Sequence, residues 1–218
     1  TANKLIAKAT EGMNNELSSL STDHKERVYS LAALNRSLTK FPARAGNKID
    51  IQSEYDDSIK DLINEVKKAK EFVNIEYFIV ALDKTTMPLF DAMKDAVEKG
   101  VKVRLLVDGM GYRAYPRKKE MKQLLTEIGV EWHEMLPLKL RPSLYNRPDL
   151  RNHRKIVVID DRVAYIGSLN MIDRTYHRKD NIYYDELVAK MQGPIVRQAS
   201  AVFASDWYFE TGELLQKI

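Results

Sequence analysis

Residues 153–170 read HRKIVVIDDRVAYIGSLN and fit the spacing H-x-K-x4-D-x6-G-S-x-N. A chance match to these six positions has a probability on the order of a few in a million at average composition. Two apolar runs, residues 156–159 and 163–166, flank Asp160-Asp161, a pair that favours a tight turn. The stretch therefore predicts a β-hairpin with strands over residues 153–159 and 163–166.

Outward from this hairpin, short apolar runs alternate with amphipathic segments. The other predicted strands are residues 48–52, 72–80, 101–107, 130–133 and 185–191. The predicted helices are residues 54–70, 88–99, 118–128 and 194–209. This alternation indicates a layered α/β domain with parallel pairing.

The residues before the hairpin domain have a different pattern. Residues 4–39 are rich in helix formers, and Leu31, Leu34 and Leu38 recur at helical spacing. Proline and glycine interrupt that pattern between residues 41 and 47. We therefore expect a helical lead-in segment over residues 1–45 and a separate domain, which contains the hairpin, over residues 46–218.

The composition limits the class of protein. With 218 residues, 44% hydrophobic and 30% charged, the chain can bury a core and resembles ordinary globular proteins. It contains no cysteine, which excludes disulfides and thiolate chemistry. No stretch reaches the roughly 20 apolar residues of a membrane span. We expect the chain itself to be soluble, and because it begins with Thr1 we expect it to be part of a longer protein.

Positive charge gathers next to the hairpin, although the formal net charge is only +4. Against a single Asp149, the basic residues of this cluster are Lys139, Arg141, Arg147, Arg151, Arg154 and Lys155. A solvated basic loop and an approach for an anionic substrate both explain the cluster. On the second interpretation, Arg151 and Arg154 bind substrate.

The spacing of the hairpin residues suits phosphodiester chemistry. On an extended strand His153 and Lys155 project to the same side, because positions two apart share a face. A phosphodiester is anionic, so its site needs fixed donors for the non-bridging oxygens and an uncharged nucleophile. Lys155, Ser168 and Asn170 suit the first task, and His153, with an unperturbed pKa of about 6.5, suits the second.

These residues resemble the phospholipase D superfamily, whose members carry this H-K-D motif. The resemblance implies a phospholipase D-like α/β/α domain with a mixed central sheet. It also implies a ping-pong reaction in which His153 attacks phosphorus and forms a phosphohistidine, without metal or cofactor. Lys155 and Asn170 then bind phosphate, and Asp160 forms a structural ion pair.

The family also uses an acidic residue on the strand after the motif to orient a histidine. Asp185 follows His153 by 32 residues (185 − 153) and begins a predicted strand. We assign it this orienting role, with Asp180 as the alternative carboxylate.

A closer resemblance extends along most of the catalytic domain. Residues 74–79, 151–155, 167–171 and 193–212 are similar to the first phospholipase D domain of bacterial cardiolipin synthases. This implies a phosphatidyl transferase that converts two phosphatidylglycerol molecules to cardiolipin and glycerol. Such enzymes carry two H-K-D motifs, and this sequence has one. We therefore expect a half-site that needs a second half-domain, with little or no activity in the isolated chain.

The resemblance also implies partners and a location. They are an anionic phospholipid such as phosphatidylglycerol, the surface of the bacterial cytoplasmic membrane, and the second half-domain. Attachment to the membrane would come from parts of the protein outside this sequence.

Two other functions are compatible with the motif. A single-motif phosphodiesterase or nuclease of the same superfamily would build its full site as a homodimer. Against it, Tyr145 is the only aromatic residue in the basic cluster and the net charge is low, so nucleic acid is not the favoured partner. A non-enzymatic domain that binds lipid headgroups is disfavoured because the motif is intact.

Overall fold

A computed structural model of the chain describes residues 25–137, 147–176 and 184–215. Within these ranges the strands are β1 (Lys48–Gln52), β2 (Phe72–Tyr77), β3 (Lys102–Asp108), β4 (Glu131–Met135), β5 (Ile156–Ile159), β6 (Val163–Gly167) and β7 (Val188–Gln192). The helices are α1 (Lys25–Thr39), α2 (Tyr55–Lys67), α3 (Met87–Glu98), α4 (Lys118–Glu127) and α5 (Ile195–Thr211).

The strands form a single mixed sheet in the order β1-β7-β6-β5-β2-β3-β4. Strands β2, β3 and β4 are parallel, and the other neighbouring pairs are antiparallel. The predicted hairpin is confirmed as β5–β6, with Ile156 opposite Ile166 and Ile159 opposite Val163. The predicted α/β class with a mixed central sheet is therefore correct.

Helices cover both faces of the sheet, so the central strands are buried on both sides. Val157 and Ile159 of β5 pack in a cluster that includes Ile59 and Leu62 of α2. Ile156 and Val158 point the other way and pack with residues of α5. Because each fully buried aliphatic side chain stabilises the fold by about 1.5–3 kcal/mol, an all-apolar strand such as β5 needs a helical layer on each side.

Three strands are shorter in the structure than predicted. Their ends lie at the edge of the sheet that carries the candidate site. The strand predicted at residues 153–159 begins at Ile156, because β2 pairs with it only as far as Glu76 opposite Ile156. The strand predicted at 72–80 ends at Tyr77, and the one predicted at 185–191 begins at Val188. The residues beyond these ends leave the sheet together on one side.

Helix α1 lies within the predicted lead-in segment. Residues 4–24 of that segment fall outside the described ranges. Ala32 is buried, whereas Leu31, Leu34 and Leu38 are exposed. Of the helices that the structure describes, none is long and apolar enough to cross a bilayer.

Asp160 is a structural residue at the end of the hairpin opposite to His153. Asp160 and Asp161 both have positive φ, and Arg162 N–H donates to Ile159 C=O at 2.9 Å, the geometry of a type I′ turn. The Asp160 carboxylate accepts backbone N–H bonds of 2.8–2.9 Å from three successive residues, 70, 71 and 72. The expected ion pair is therefore replaced by backbone donors. Strand β5 also separates Asp160 from His153, which removes it from the candidate catalytic residues.

We predict that Asp160→Ala lowers the free energy of unfolding by about 2 kcal/mol, since it removes a charged acceptor from three amides and places alanine in a left-handed conformation. Asp160→Gly, which tolerates that conformation, should recover part of the loss, and Asp160→Asn should recover more because it keeps an acceptor. Urea unfolding measures all three. Asp57→Ala, on an exposed position of α2, is the control, and equal stability of Asp160→Ala and the control would contradict the anchoring role.

Candidate functional site

The site lies at one edge of the sheet, where several strands end together. Phe78 follows β2, His153 and Lys155 precede β5, Asn170 follows β6, and Glu186 precedes β7. The order β7-β6-β5-β2 with antiparallel pairing places these ends on the same edge. Residues far apart in the sequence therefore meet around one point.

His153 and Lys155 are in direct contact, as the alternation along an extended segment predicts. Lys155 Nζ lies 2.9 Å from His153 Nδ1 and donates to His153 C=O at 2.7 Å. The His153 side chain is exposed, whereas Lys155 is 5% exposed. The ammonium is thus held directly behind an accessible imidazole.

Burial and neighbouring charges shift both groups toward their neutral forms. Burial, assisted by the Lys155 charge, lowers the pKa of His153, while Asp108 and Glu186 oppose the shift. Burial lowers the pKa of Lys155 to about 8, against the opposing charge of Glu186. At neutral pH the imidazole is therefore uncharged and the lysine still largely cationic.

Asn170 and Glu186 are linked through a tyrosine hydroxyl. Asn170 Oδ1 accepts the backbone N–H of Ile79 at 3.1 Å, and its Nδ2 donates to Tyr176 Oη at 3.3 Å. Tyr176 Oη in turn donates to Glu186 Oε1 at 3.3 Å. Asn170 is 4% and Glu186 8% exposed, so this chain forms a fixed polar wall beside Lys155.

The Gly-Ser pair of the motif joins β6 to the segment that carries Glu186. Ser168 N–H donates to Leu187 C=O at 2.9 Å, and Leu187 N–H donates to Ser168 Oγ at 3.0 Å. At Gly167 a Cβ atom would come within 2.1 Å of Leu187 O, so only glycine permits this approach. Ser168 was predicted to bind phosphate, and here its hydroxyl is engaged with the backbone next to Glu186.

The acidic residue at the site is Glu186 and not Asp185. Asp185 is exposed, whereas Glu186 is buried and acts electrostatically on both His153 and Lys155. The orienting role of Asp185 stays a prediction, and the structure offers Glu186, one position further on, as a buried alternative. The start of the predicted strand gave no guide to which carboxylate points inward, because β7 begins at Val188. Asp180 lies outside the described residues.

Arg151 belongs to a buried ion pair, and its contact with substrate stays a prediction. Its Nη2 donates to Asp108 Oδ1 and to Leu136 C=O, both at 2.9 Å, and its Nε donates to both Asp108 oxygens at 3.1 Å. Asp108 is fully buried and also accepts the backbone N–H of Asn152 at 3.2 Å. The pair holds the segment that delivers His153 to the edge.

The other described arginines of the basic cluster are also engaged with carboxylates. Arg154 Nη1 donates to Asp206 Oδ2 at 2.8 Å and lies 3.9 Å from Glu76, and its role in substrate binding stays a prediction. Arg147 pairs with Asp149. Lys139 and Arg141 lie outside the described residues. Of the four described members of the basic cluster, Lys155 is the one whose cationic group contacts His153.

Aromatic residues surround the site, and the motif gave no signal for them. Phe78 lies against His153, with ring centroids 4.6 Å apart, and Tyr176 packs between Tyr115 and Tyr184 at 6.2 Å from each. Gly111 makes room for Phe78, because a Cβ there would lie 1.8 Å from Phe78 O. The turn at residues 108–111, a weak match to a phosphate loop, thus serves to pack the site.

The residues that the structure describes contain no cluster of three or more histidine, cysteine or acidic side chains placed to hold a metal ion.

Comparison with known proteins places the chain in a family. A family model described as "Cardiolipin synthase, PLD-like domain" matches residues 62–207. The chain belongs to this family. Cardiolipin synthase A of Proteus mirabilis (strain HI4320) is 29% identical over 194 residues, which cover 88% of this chain and 39% of that protein. This cardiolipin synthase PLD-like domain thus spans about two fifths of the length of that relative.

Solved structures agree with the fold of the PLD-like domain. NucT from Helicobacter pylori has a TM-score of 0.54 at 18% identity, covering 72% of this chain and 92% of that chain. The phospholipase D family member Nuc from Salmonella typhimurium has a TM-score of 0.54 at 12% identity, covering 74% and 95%. At these identities the likeness establishes the fold alone.

We predict opposite shifts of the His153 pKa from its two charged neighbours. Lys155→Met should raise it, because a nearby positive charge is removed, and Glu186→Gln should lower it, because a nearby negative charge is removed. An NMR titration of the imidazole measures both. Asp185→Asn, which changes an exposed carboxylate one residue away, is the matched control. A larger shift from Asp185→Asn than from Glu186→Gln would contradict the assignment of Glu186.

Proposed function

We propose that the chain is one half of a phosphatidyl transferase of the cardiolipin synthase type, in which His153 forms a phosphohistidine. The observation that carries this proposal is the contact between an exposed, neutral imidazole and a buried ammonium within a PLD-like domain. A neutral nitrogen can approach an anionic phosphodiester, and an adjacent cation compensates the charge on phosphorus oxygens.

The proposed reaction has two displacements at phosphorus. First, an unprotonated ring nitrogen of His153 forms an N–P bond to phosphatidylglycerol while the P–O bond to the leaving glycerol breaks. The leaving oxygen takes a proton from a general acid. Second, a hydroxyl of another phosphatidylglycerol attacks phosphorus, the N–P bond breaks, and the hydroxyl proton passes to a base. Two phosphatidylglycerol molecules thus give cardiolipin and glycerol.

Lys155 and Asn170 are assigned to the phosphate in this proposal. A non-bridging oxygen would compete with His153 Nδ1 for the Lys155 ammonium, which now lies 2.9 Å from that nitrogen. Once Lys155 moves to the oxygen, the ring nitrogen becomes available to phosphorus. Asn170 Nδ2 makes only a long bond of 3.3 Å to Tyr176 and can donate to a second oxygen.

Glu186 is assigned the orienting role for a histidine. Its burial and its charge near His153 and Lys155 support this assignment. A carboxylate that stabilises an imidazolium also assists when a histidine takes up or gives a proton. Whether it serves His153 or a histidine of a second half-domain depends on the partner.

The histidines that the structure describes support the need for a second half-site. Of these, His153 is the one at this edge, because His133 packs against Trp207 at 5.1 Å between ring centroids. Exposed apolar residues also lie on the α5 face of the sheet, near the edge that carries the site. The register pairs Ile166 with Ala189 and Ala189 with Ile51, and Leu187 shares that face. A second phospholipase D half-domain would cover this surface, and the membrane would supply anionic phospholipid.

A homodimeric phosphodiesterase is the second candidate. It is favoured by the size of NucT and Nuc, of which this domain covers 92% and 95%, since one such domain suffices for a whole chain. Sequence similarity favours the transferase, because the identity to cardiolipin synthase A is 29% over 88% of the chain.

We predict that the isolated chain transfers phosphatidyl groups about 10²–10⁴-fold more slowly than a mixture with the second half-domain, because a general acid contributes a factor of that size. Cardiolipin formation from phosphatidylglycerol micelles measures this. His153→Ala should reduce transfer by the mixture to background, while His133→Ala should not. Full transfer by a monomer would contradict the half-site proposal. Hydrolysis of a phosphodiester by a homodimer without lipid transfer would favour the second candidate.

We also predict that binding of a soluble phosphodiester weakens as the pH rises through about 8, because Lys155 loses its charge there. Sulfate-free calorimetry with glycerophosphoglycerol, whose charge is constant in this range, measures the affinity. Lys155→Arg should move the loss of affinity to higher pH, since a guanidinium stays protonated. Lys190→Arg, at a lysine paired with Asp61, is the control. An unchanged pH dependence in Lys155→Arg would contradict the assignment.

A further inference from the structure

A fully buried carboxyl group and a largely buried one lie behind residues 152–154, on the α5 face of the sheet. Glu76 of β2 is fully buried, and its Oε1 accepts a hydrogen bond of 2.7 Å from Asn152 Nδ2. Within the described residues, no N–H or O–H group donates to its other oxygen, Oε2. The side chain of Asp206, on α5, is 15% exposed and shares a cation with Glu76, because Arg154 Nη1 lies 2.8 Å from Asp206 Oδ2 and 3.9 Å from Glu76 Oε1.

This arrangement requires a proton between the two carboxyl groups. Two ionised carboxylates would repel each other and leave Glu76 Oε2 buried without a donor, a costly state in a dry interior. A proton on either group supplies the missing donor. Burial, followed by the charge of Asp206, raises the pKa of Glu76 well above its usual range, and burial also raises the pKa of Asp206.

The pair is tied to the residues on both sides of His153. Asn152 donates to Glu76, and Arg154 donates to Asp206 at 2.8 Å. Asn152 and Arg154 are also linked, because Arg154 N–H donates to Asn152 Oδ1 at 3.0 Å. The backbone of His153 is therefore held between Asn152 and Arg154, whose side chains hydrogen-bond to Glu76 and Asp206.

We propose that Glu76 and Asp206 are positioning residues that share one proton and so hold His153 in place from the opposite face of the sheet. Arg154 compensates the single remaining negative charge of the pair. Loss of the shared proton leaves two carboxylates facing one arginine, which loosens the segment from Asn152 to Arg154. The position of His153 thus depends on pH through groups that never touch the substrate. The consequence for catalysis rests on the proposed function, but the position of His153 does not.

Other charged groups face the pair from the neighbouring elements. Glu210 lies one turn further along α5, and burial raises its pKa as well. Asp108 of β3 is neutralised by Arg151, and His133 of β4 packs against Trp207. Arg154 is the cation that contacts both carboxyl groups of the pair. We therefore expect the shared proton to be lost in one step that belongs to Glu76 and Asp206 together.

The test uses Glu76→Gln, in which the amide accepts from Asn152 and permanently donates to Asp206, as the shared proton does. In the parent chain the folded state holds a proton that the unfolded state has lost, so the urea midpoint should fall as the pH rises from about 4.3, the ordinary glutamate value. In Glu76→Gln this fall should be absent or much smaller. Asp206→Asn should behave in the same way, and Glu98→Gln, on an exposed part of α3, should follow the parent chain.

Imidazole NMR of the same proteins tests the positioning role without any activity assay. The His153 resonance of the parent chain should show a second inflection when the pair loses its proton, in addition to its own titration. Glu76→Gln should lack the second inflection and keep the His153 resonance of the parent chain at low pH. The same stability slope and the same second inflection in Glu76→Gln would overturn the proposal. Failure of both amide variants to fold would also overturn it, because each preserves the hydrogen bonds of the shared proton.

Discussion

The edge of the sheet that carries His153 depends on one buried carboxylate, that of Asp108 at the end of β3. It binds the Arg151 guanidinium through several hydrogen bonds and accepts the backbone N–H groups of Asn152, Met110 and Gly111. A buried charge is tolerated only when its partners are complete, and removal of one partner costs about 3–5 kcal/mol. Asp108 thus fixes both the segment that leads to His153 and the turn that packs against Phe78. Without it, the segment that leads to His153 would lose the Arg151 ion pair and the Asn152 N–H bond that hold it.

The residues of the H-K-D motif divide into two groups with different tasks. His153 and Lys155 form the reactive contact at the edge of the sheet. Asp160 and Gly167 determine how the strands meet, the first through backbone amides at the far turn and the second through the close approach of Leu187. One hairpin must both present His153 and Lys155 at the edge and join its strands correctly at Asp160 and Gly167. The spacing of the motif therefore reflects the lengths of β5 and β6 as well as the chemistry of the site.

The two faces of the sheet contribute different electrostatics to the same segment. On one side burial of the His153 ring, assisted by the charge of Lys155, lowers the pKa of His153, and Asp108 and Glu186 oppose that shift. On the α5 side Arg154 reaches Asp206 and Glu76. Alternation along an extended chain sends neighbouring side chains to opposite faces, so three successive residues connect a surface site to a buried acid pair. This domain spans about two fifths of the length of a matched cardiolipin synthase.

The sequence by itself determined the elements of the fold, because hydrophobic periodicity is local. It predicted β1 at residues 48–52, the β5–β6 hairpin and the four helices after the lead-in to within a few residues. It also predicted His153, Lys155 and Asn170 as site residues from their spacing on one strand pair, and the structure places all three at the same edge of the sheet.

Only the tertiary structure decided which charged residues face the site, because that depends on where distant strands end and what packs beside them. It placed Glu186 inward in place of Asp185, engaged Arg151 and Arg154 with buried carboxylates, and brought Tyr176 and Phe78 to the edge. The charged residues concerned lie far apart in the sequence. Their separations run from 33 positions (186 − 153) to 110 positions (186 − 76). No local pattern of residues contains that information.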